Sequence, residues 1–229
     1  MKGKNMLTKH TYTTSHGFTL RYFLYTPENA SPDMPLFTFL HGAGEFGNTE
    51  EELDVILRNG LPRHIVSGTL SLPSYAIFPQ APKGYVWSDL VIFLTELILH
   101  VADELKSDKK RLYLHGLSMG GYGTWSMAVA NPNLFAAIAP VCGGGLSWAA
   151  RTLLTNLPIH AYHGDVDSVV PVRNSVDMVD EINRFGGHAT LTLFHGVDHN
   201  SWDPAYFETD MLSWLYQNRR DEDGYAGRN

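Results

Sequence analysis

Short apolar runs alternate with helical patterns along most of the chain. Two runs near the start, Thr8 to Thr14 and Phe18 to Tyr25, flank Ser15-His16-Gly17 and predict an antiparallel hairpin. Six more predict strands at Pro35 to Leu40, Tyr75 to Phe78, Arg111 to Leu114, Ala136 to Val141, Ile159 to Tyr162 and Thr190 to Phe194. Between them, Leu90, Leu94, Leu97, Ile98, Val101 and Leu105 recur at helical spacing, as do Val172, Val176, Val179, Ile182 and Phe185. Phe207, Met211, Trp214 and Leu215 form a last stripe. Asn131-Pro132 and Gly186-Gly187 are helix stop signals at the expected places. Strands alternating with one-sided helices predict an α/β fold: an eight-stranded, mostly parallel sheet with helices on both faces.

The 229 residues suit one such domain, expected over 1–218, with a frayed, charged tail at 219–229. Charged residues are only 18% and aromatics reach 12%, so the chain can bury enough apolar surface to exclude global disorder. The formal net charge of -7 carries no basic footprint, which argues against nucleic acid or an anionic membrane as partner and leaves a small molecule. A single cysteine, Cys142, excludes an intrachain disulfide and a cysteine-based zinc site. The first ten residues are basic but lack a secretory apolar core, so the expected location is cytoplasmic. The most apolar stretch, Leu90 to Leu105, is interrupted by Glu96, His100, Asp103 and Glu104 and is too short to span a bilayer.

His115-Gly116-Leu117-Ser118-Met119-Gly120-Gly121 follows an apolar strand and opens a helix. In that context GxSxG is a nucleophile elbow: the glycines permit a strained turn, and Ser118 projects above the sheet. A serine hydroxyl needs a histidine to take its proton and a carboxylate to fix that histidine's tautomer. The later strands supply both in the order Ser, Asp, His. His163-Gly164-Asp165-Val166-Asp167 ends one strand with two carboxylates, and His195-Gly196-Val197-Asp198-His199 ends the next with two histidines.

From about Leu36 to Leu215 the chain resembles the α/β-hydrolase serine esterases, in the phospholipase/carboxylesterase branch related to dienelactone hydrolases. The resemblance rests on His41-Gly42-Ala43-Gly44-Glu45, Pro79-Gln80-Ala81-Pro82, the Gly116 to Gly120 elbow, His163 to Asp167 and His199-Asn200-Ser201-Trp202-Asp203. It implies Ser118 as nucleophile, Asp167 as acid and His199 as base, with no cofactor and a small ester as substrate. It also implies an oxyanion hole from the backbone N–H groups of Met119 and Ala43, with Gly44 the fallback. Phe46, Ala81 and Asp198 depart from the family's usual Arg, Cys and Gly. Glu45, acidic beside a developing oxyanion, fits a loop-pinning role better than substrate contact.

Other assignments compete. His163, Asp165, Asp167, His195, Asp198 and His199 could be drawn as a metal cluster, but they sit in strand-end turns rather than on a helix, where i, i+4 spacing would make a zinc pair. His41, His115, His163 and His195 read better as histidines hydrogen-bonded at the sheet's carboxyl edge, and Asp165 is the alternative acid. Trp87 and Trp202 are candidate pocket walls, and Cys142 is expected to be a buried, inert thiol. Thioesterase or peptidase activity would use the same triad, and a ligand-binding protein on this fold is the non-enzymatic alternative. The 16 residues between Val141 and Pro158 leave room for one short helix, Ser147 to Thr155, and for no large cap domain. An open site with short acyl preference follows, unless Arg58 to Leu72 folds over it.

Overall fold

The computed structural model describes residues 6–221. Strands β1 (Met6–Thr13) and β2 (Thr19–Thr26) form the expected hairpin, in register from Met6 opposite Thr26 to Thr13 opposite Thr19. Gly17 takes φ 75° in its turn, a conformation that costs glycine little. There follow β3 (Leu36–Leu40), β4 (Tyr75–Gln80), β5 (Leu112–Leu117), β6 (Ala137–Val141), β7 (His160–Gly164) and β8 (Thr190–Phe194). They join in one eight-stranded sheet of order β1-β2-β4-β3-β5-β6-β7-β8. β1 and β2 run antiparallel to their neighbours; the pairs from β4 to β8 are parallel.

The helices are α1 (Gly60–Val66), α2 (Val91–Glu104), α3 (Met119–Ala130), α4 (Ser147–Leu153), α5 (Arg173–Arg184), α6 (Trp202–Phe207) and α7 (Met211–Gln217). Alternation along each strand divides the core into two layers. Leu36 and Leu40 of β3 pack with Leu94 and Leu97 of α2, Trp125 of α3 and Met178 and Ile182 of α5. Phe37 and Phe39 pack on the other face with Leu61 of α1, Tyr206 of α6 and Met211 and Leu215 of α7. Leu53 and Ile56, in a 3-10 segment over Glu52–Arg58 that periodicity does not reveal, seal that second layer.

Two expected stripes are corrected. Phe207 does not share a helix with Met211 to Leu215: the chain leaves α6 at Glu208, and Thr209 Oγ1 accepts the Met211 N–H at 3.1 Å where α7 begins. Phe185 lies past the end of α5, exposed, with the Arg151 guanidinium 4.6 Å from its ring centroid, while Met178 takes the inner face. At the carboxyl end, Arg219 pairs with Asp108 at 2.7 Å and Arg220 Nη2 donates to Lys109 O at 2.9 Å. The rest of the expected tail, 222–229, lies outside the described residues. Among the described residues no helix is long and apolar enough to cross a membrane.

Candidate active site

Ser118 is the single residue between β5 and α3, and it takes φ 54° and ψ −118°. For a residue with a Cβ this backbone costs of order 1–3 kcal/mol, so the surroundings must impose it. They do so through contact with neighbouring backbone. A Cβ on Gly116 would strike Gly120 O, and one on Gly120 would strike Leu40 O and His41 O. The Ser118 N–H is held by Val141 O at 3.0 Å and Cys142 Sγ at 3.2 Å.

The turns after β7 and β8 bring the acid and base to this serine. His199 Nε2 lies 3.0 Å from Ser118 Oγ, and His199 Nδ1 lies 2.9 Å from Asp167 Oδ2. A carboxylate at Nδ1 puts the neutral ring's proton there, leaving Nε2 as acceptor for the serine hydroxyl. The other oxygen, Asp167 Oδ1, accepts the Val169 and Val170 N–H groups at 2.9 and 2.8 Å. Burial works to raise the Asp167 pKa, but these bonds and the one from His199 outweigh it and hold the carboxyl below its ordinary value.

The alternative residues go elsewhere. Asp165 Oδ2 bonds His195 Nδ1 at 2.7 Å, away from Ser118, so Asp165 is not the carboxylate that orients His199. His195 is exposed, whereas His41, His115 and His163 are buried and bonded. His115 donates from Nδ1 to Ala139 O at 2.7 Å and accepts the Tyr206 hydroxyl at Nε2 at 2.6 Å. His163 donates from Nε2 to Val170 O at 2.9 Å, with Asp167 Oδ2 at 3.2 Å, and its Nδ1 meets Ser175 Oγ at 2.7 Å. Of the six residues drawn together from sequence, His163 and His199 share Asp167, Asp165 holds His195, and Asp198 turns to Ser168. Cys142, Asp167 and His199 do bring ligand atoms within 4.8 Å of one another. The latter two are already bonded together, Cys142 Sγ accepts the Ser118 N–H at 3.2 Å, and burial pushes its thiol up to about 12.

The loop after β3 lies over the serine: a Cβ on Gly42 would come within 3.7 Å of Ser118 Cβ. Its framework is buried and held by side-chain hydrogen bonds. His41 donates from Nδ1 to Gly42 O at 2.7 Å and accepts the Ala81 N–H at Nε2 at 2.9 Å. Glu45 is buried; Asn59 Nδ2 donates to its Oε1 at 2.5 Å and Gln80 Nε2 to its carbonyl at 2.9 Å. Burial raises the Glu45 pKa, with Asn59 and Gly42 pulling against it. Ala43 and Gly44, by contrast, are exposed at the loop tip, and Met119 opens α3, where N–H groups have no intrahelical partner.

Trp87 is corrected: it is fully buried, and its Nε1 donates to His41 O at 2.9 Å, so it braces the loop from the core and cannot line a pocket. Trp202 sets its ring edge-on to His199, centroids 5.6 Å apart. An apolar cavity of about 410 Å³ runs beside Ile92, Trp125, Val129 and Leu146, and none of Ser118, Asp167 and His199 lines it. Sequence reasoning missed Asn59 and Ser168, which bond residues 14 and 30 positions away. No local pattern marks such partners.

A sequence profile described as phospholipase/carboxylesterase matches residues 91–208, just over half of the chain and all three of Ser118, Asp167 and His199. The chain belongs to that family. It is 27% identical over 168 residues to a bifunctional acetylxylan esterase/xylanase of Neocallimastix patriciarum, a match covering 71% of this chain and 24% of the relative. The chain therefore spans about a quarter of that relative's length. Among solved structures, a thermostable esterase is 32% identical with a TM-score of 0.80, over 93% of this chain and 63% of that one. A feruloyl esterase module from Clostridium thermocellum shares the fold at 18% identity, with a TM-score of 0.71 over 95% of this chain and 90% of that one. This member of the family thus has the α/β-hydrolase fold, with no large insertion between β6 and β7.

Proposed function

We propose that the protein is a serine esterase that cleaves carboxylic esters with short acyl groups. The observation that carries this reading is the unbroken hydrogen-bonded chain from Ser118 Oγ through His199 to Asp167. Ser118 Oγ attacks the ester carbonyl while His199 Nε2 takes its proton. The ring then gives that proton to the leaving alkoxide, and an acyl-enzyme remains on Ser118. Water enters, loses a proton to His199 and attacks the acyl carbon; the acid departs as Ser118 recovers the proton. Asp167 keeps the ring in the required tautomer and stabilises its charged form. The N–H groups of Ala43 and Met119 receive the oxyanion, and the amino end of α3 adds a favourable field.

The family supports ester chemistry, and the acetylxylan esterase relative supports a small acyl group. The experiment is labelling with a serine-directed fluorophosphonate, read by peptide mapping, alongside turnover of nitrophenyl esters, thioesters and aminoacyl amides. Stoichiometric modification of Ser118, and loss of about a millionfold in kcat on Ser118→Ala, are expected. Labelling of another serine or an active alanine variant would overturn the assignment. Faster thioester or amide turnover would replace the ester reading while leaving the triad.

A further inference from the structure

The acid and base of the proposed triad stand on two different turns, and those turns meet along a seam. A Cβ on Gly164 would strike Val197 O and Asp198 O, and the Val166 N–H donates to Val197 O at 3.3 Å. Three carboxylates cross this seam. Asp167 reaches from the turn after β7 to His199, and Asp165 reaches the same way to His195 and to the Gly196 N–H, at 2.7 Å each. Asp198 reaches in the opposite direction. Its Oδ1 accepts the Ser168 N–H at 2.7 Å and the Ser168 hydroxyl at 2.9 Å, with Oδ2 3.1 Å from that hydroxyl. The same Oδ1 also accepts the His199 N–H at 2.8 Å.

One oxygen therefore joins the backbone of the residue after the acid to the backbone of the base. The separation of Asp167 and His199 depends on how the two turns sit against each other, because each is fixed within its own turn. Asp167 is tied internally by the Val169 and Val170 N–H groups, while Asp198, beside the crossings of Asp165 and Val166, is the tie that reaches the residues flanking the acid and the base. Bonds to the Ser168 and His199 N–H groups hold the Asp198 carboxyl below its ordinary pKa, so it is an ionised acceptor at neutral pH. Its side chain is exposed, and exposed charge-assisted bonds add little to global stability. Geometry at a reacting centre is a different matter, since displacement of about 1 Å can cost a hundredfold in rate.

We propose that Asp198 is a positioning residue: by bridging the Ser168 and His199 N–H groups it sets the distance between Asp167 and His199 over which the proton on His199 is held. The proposal rests on the triad reading above. It separates shape from charge at one position. Asp198→Asn keeps an oxygen in place and loses the charge, whereas Asp198→Glu keeps the charge and moves the oxygen by a methylene. Asp198→Ala removes both.

The test measures kcat and KM with a soluble nitrophenyl acetate, the rate of fluorophosphonate labelling at Ser118, and the melting temperature. The alanine and glutamate variants are expected to lose roughly tenfold to a hundredfold in kcat, with labelling slowed in step and KM nearly unchanged. The asparagine variant is expected to stay within about threefold of the native rate, which a loss of charge could not do if charge were the function. If alanine does not fold, the contrast between Asn and Glu decides alone. Native rates in the Glu variant, a slow Asn variant beside a fast Glu variant, or a KM change at constant kcat would overturn the proposal. Normal labelling of Ser118 in the native protein with no slowing in any variant would overturn this inference and leave the triad standing. Failure of Ser118 to label at all would overturn both.

Discussion

Cys142 Sγ lies 3.2 Å from the backbone nitrogen of Ser118 and accepts its hydrogen bond. Cys142 itself holds φ 41°, so two consecutive points of the site, the serine and the residue beneath it, are in left-handed backbone. Burial pushes the thiol up to about 12, although the Ser118 N–H pulls the other way. At neutral pH the sulfur is a protonated acceptor under the elbow rather than a nucleophile. Iodoacetamide at pH 8 is expected to leave Cys142 unmodified in the native protein and to alkylate it fully in denaturant. Native alkylation at the rate of a free thiol would contradict this placement.

Asp165 and Asp167 leave the same turn, and each holds one histidine of the next. Only Asp167 reaches the ring that faces Ser118. Asp167→Asn is expected to lower kcat by about four orders of magnitude, because an amide favours the wrong tautomer of His199. Asp165→Asn loses a bond to an exposed histidine and is expected to stay within a fewfold of native. Steady-state kinetics on the two variants decides; the reverse order would move the acid to Asp165.

The elbow was legible because everything it needs lies within a few residues: Gly116, Ser118 and Gly120, a strand before and a helix after. The acid was not decided by the residues alone. Asp165 and Asp167 are both carboxylates in one turn, and what separates them is the Val169 and Val170 N–H groups folding back onto Asp167. Trp87 shows a different limit, since an aromatic between two elements reads equally as core or pocket until its Nε1 is found on His41 O. The break at Glu208 to Asp210 was invisible to periodicity: Tyr206 of α6 and Met211 and Leu215 of α7 do face the same layer, but Phe207 is exposed. The pairing of Asn59 with Glu45 has no sequence signal at all.

Acid stability should report the buried histidines. Burial draws both His41 and His115 down to about 4, against weaker pulls upward from Gly42 O and Ala139 O. In the unfolded chain they titrate near 6.5, so between about 6.5 and 4 the unfolded state binds more protons and stability falls with falling pH. Below about 4 these two groups contribute no further loss. Glu45, raised by burial, works in the opposite sense and removes part of the slope. His163, also drawn down by burial, acts in the same sense, and the expected slope from pH 6 to 5 is on the order of one to three protons, measured by urea unfolding at constant ionic strength. His115→Gln should flatten it by up to one proton. A flat native profile from pH 7 to 5 would mean that these histidines are not held neutral.

Substrate size follows from what can cover Ser118. Between β6 and β7 the chain adds only the seven-residue α4. The other candidate cover, Arg58 to Leu72, is committed elsewhere: Leu61 and Leu72 are buried in the second core layer, and His64 Nε2 bonds Asp203 Oδ1 at 2.8 Å. Although α4 and its flank expose Leu146, Trp148 and Leu153, a seven-residue helix is too short to close over a long acyl chain. On the proposed reading of an open site, few methylenes are buried, each contributing roughly 0.8 kcal/mol, so lengthening the acyl chain should soon stop improving kcat/KM. Nitrophenyl esters from acetate to palmitate are expected to show a maximum at about two to six carbons, with ordinary saturation and no rise at the micellar threshold. A maximum at twelve carbons or beyond, or interfacial activation, would require α1 to leave its place against Asp203, which His64→Ala should then promote.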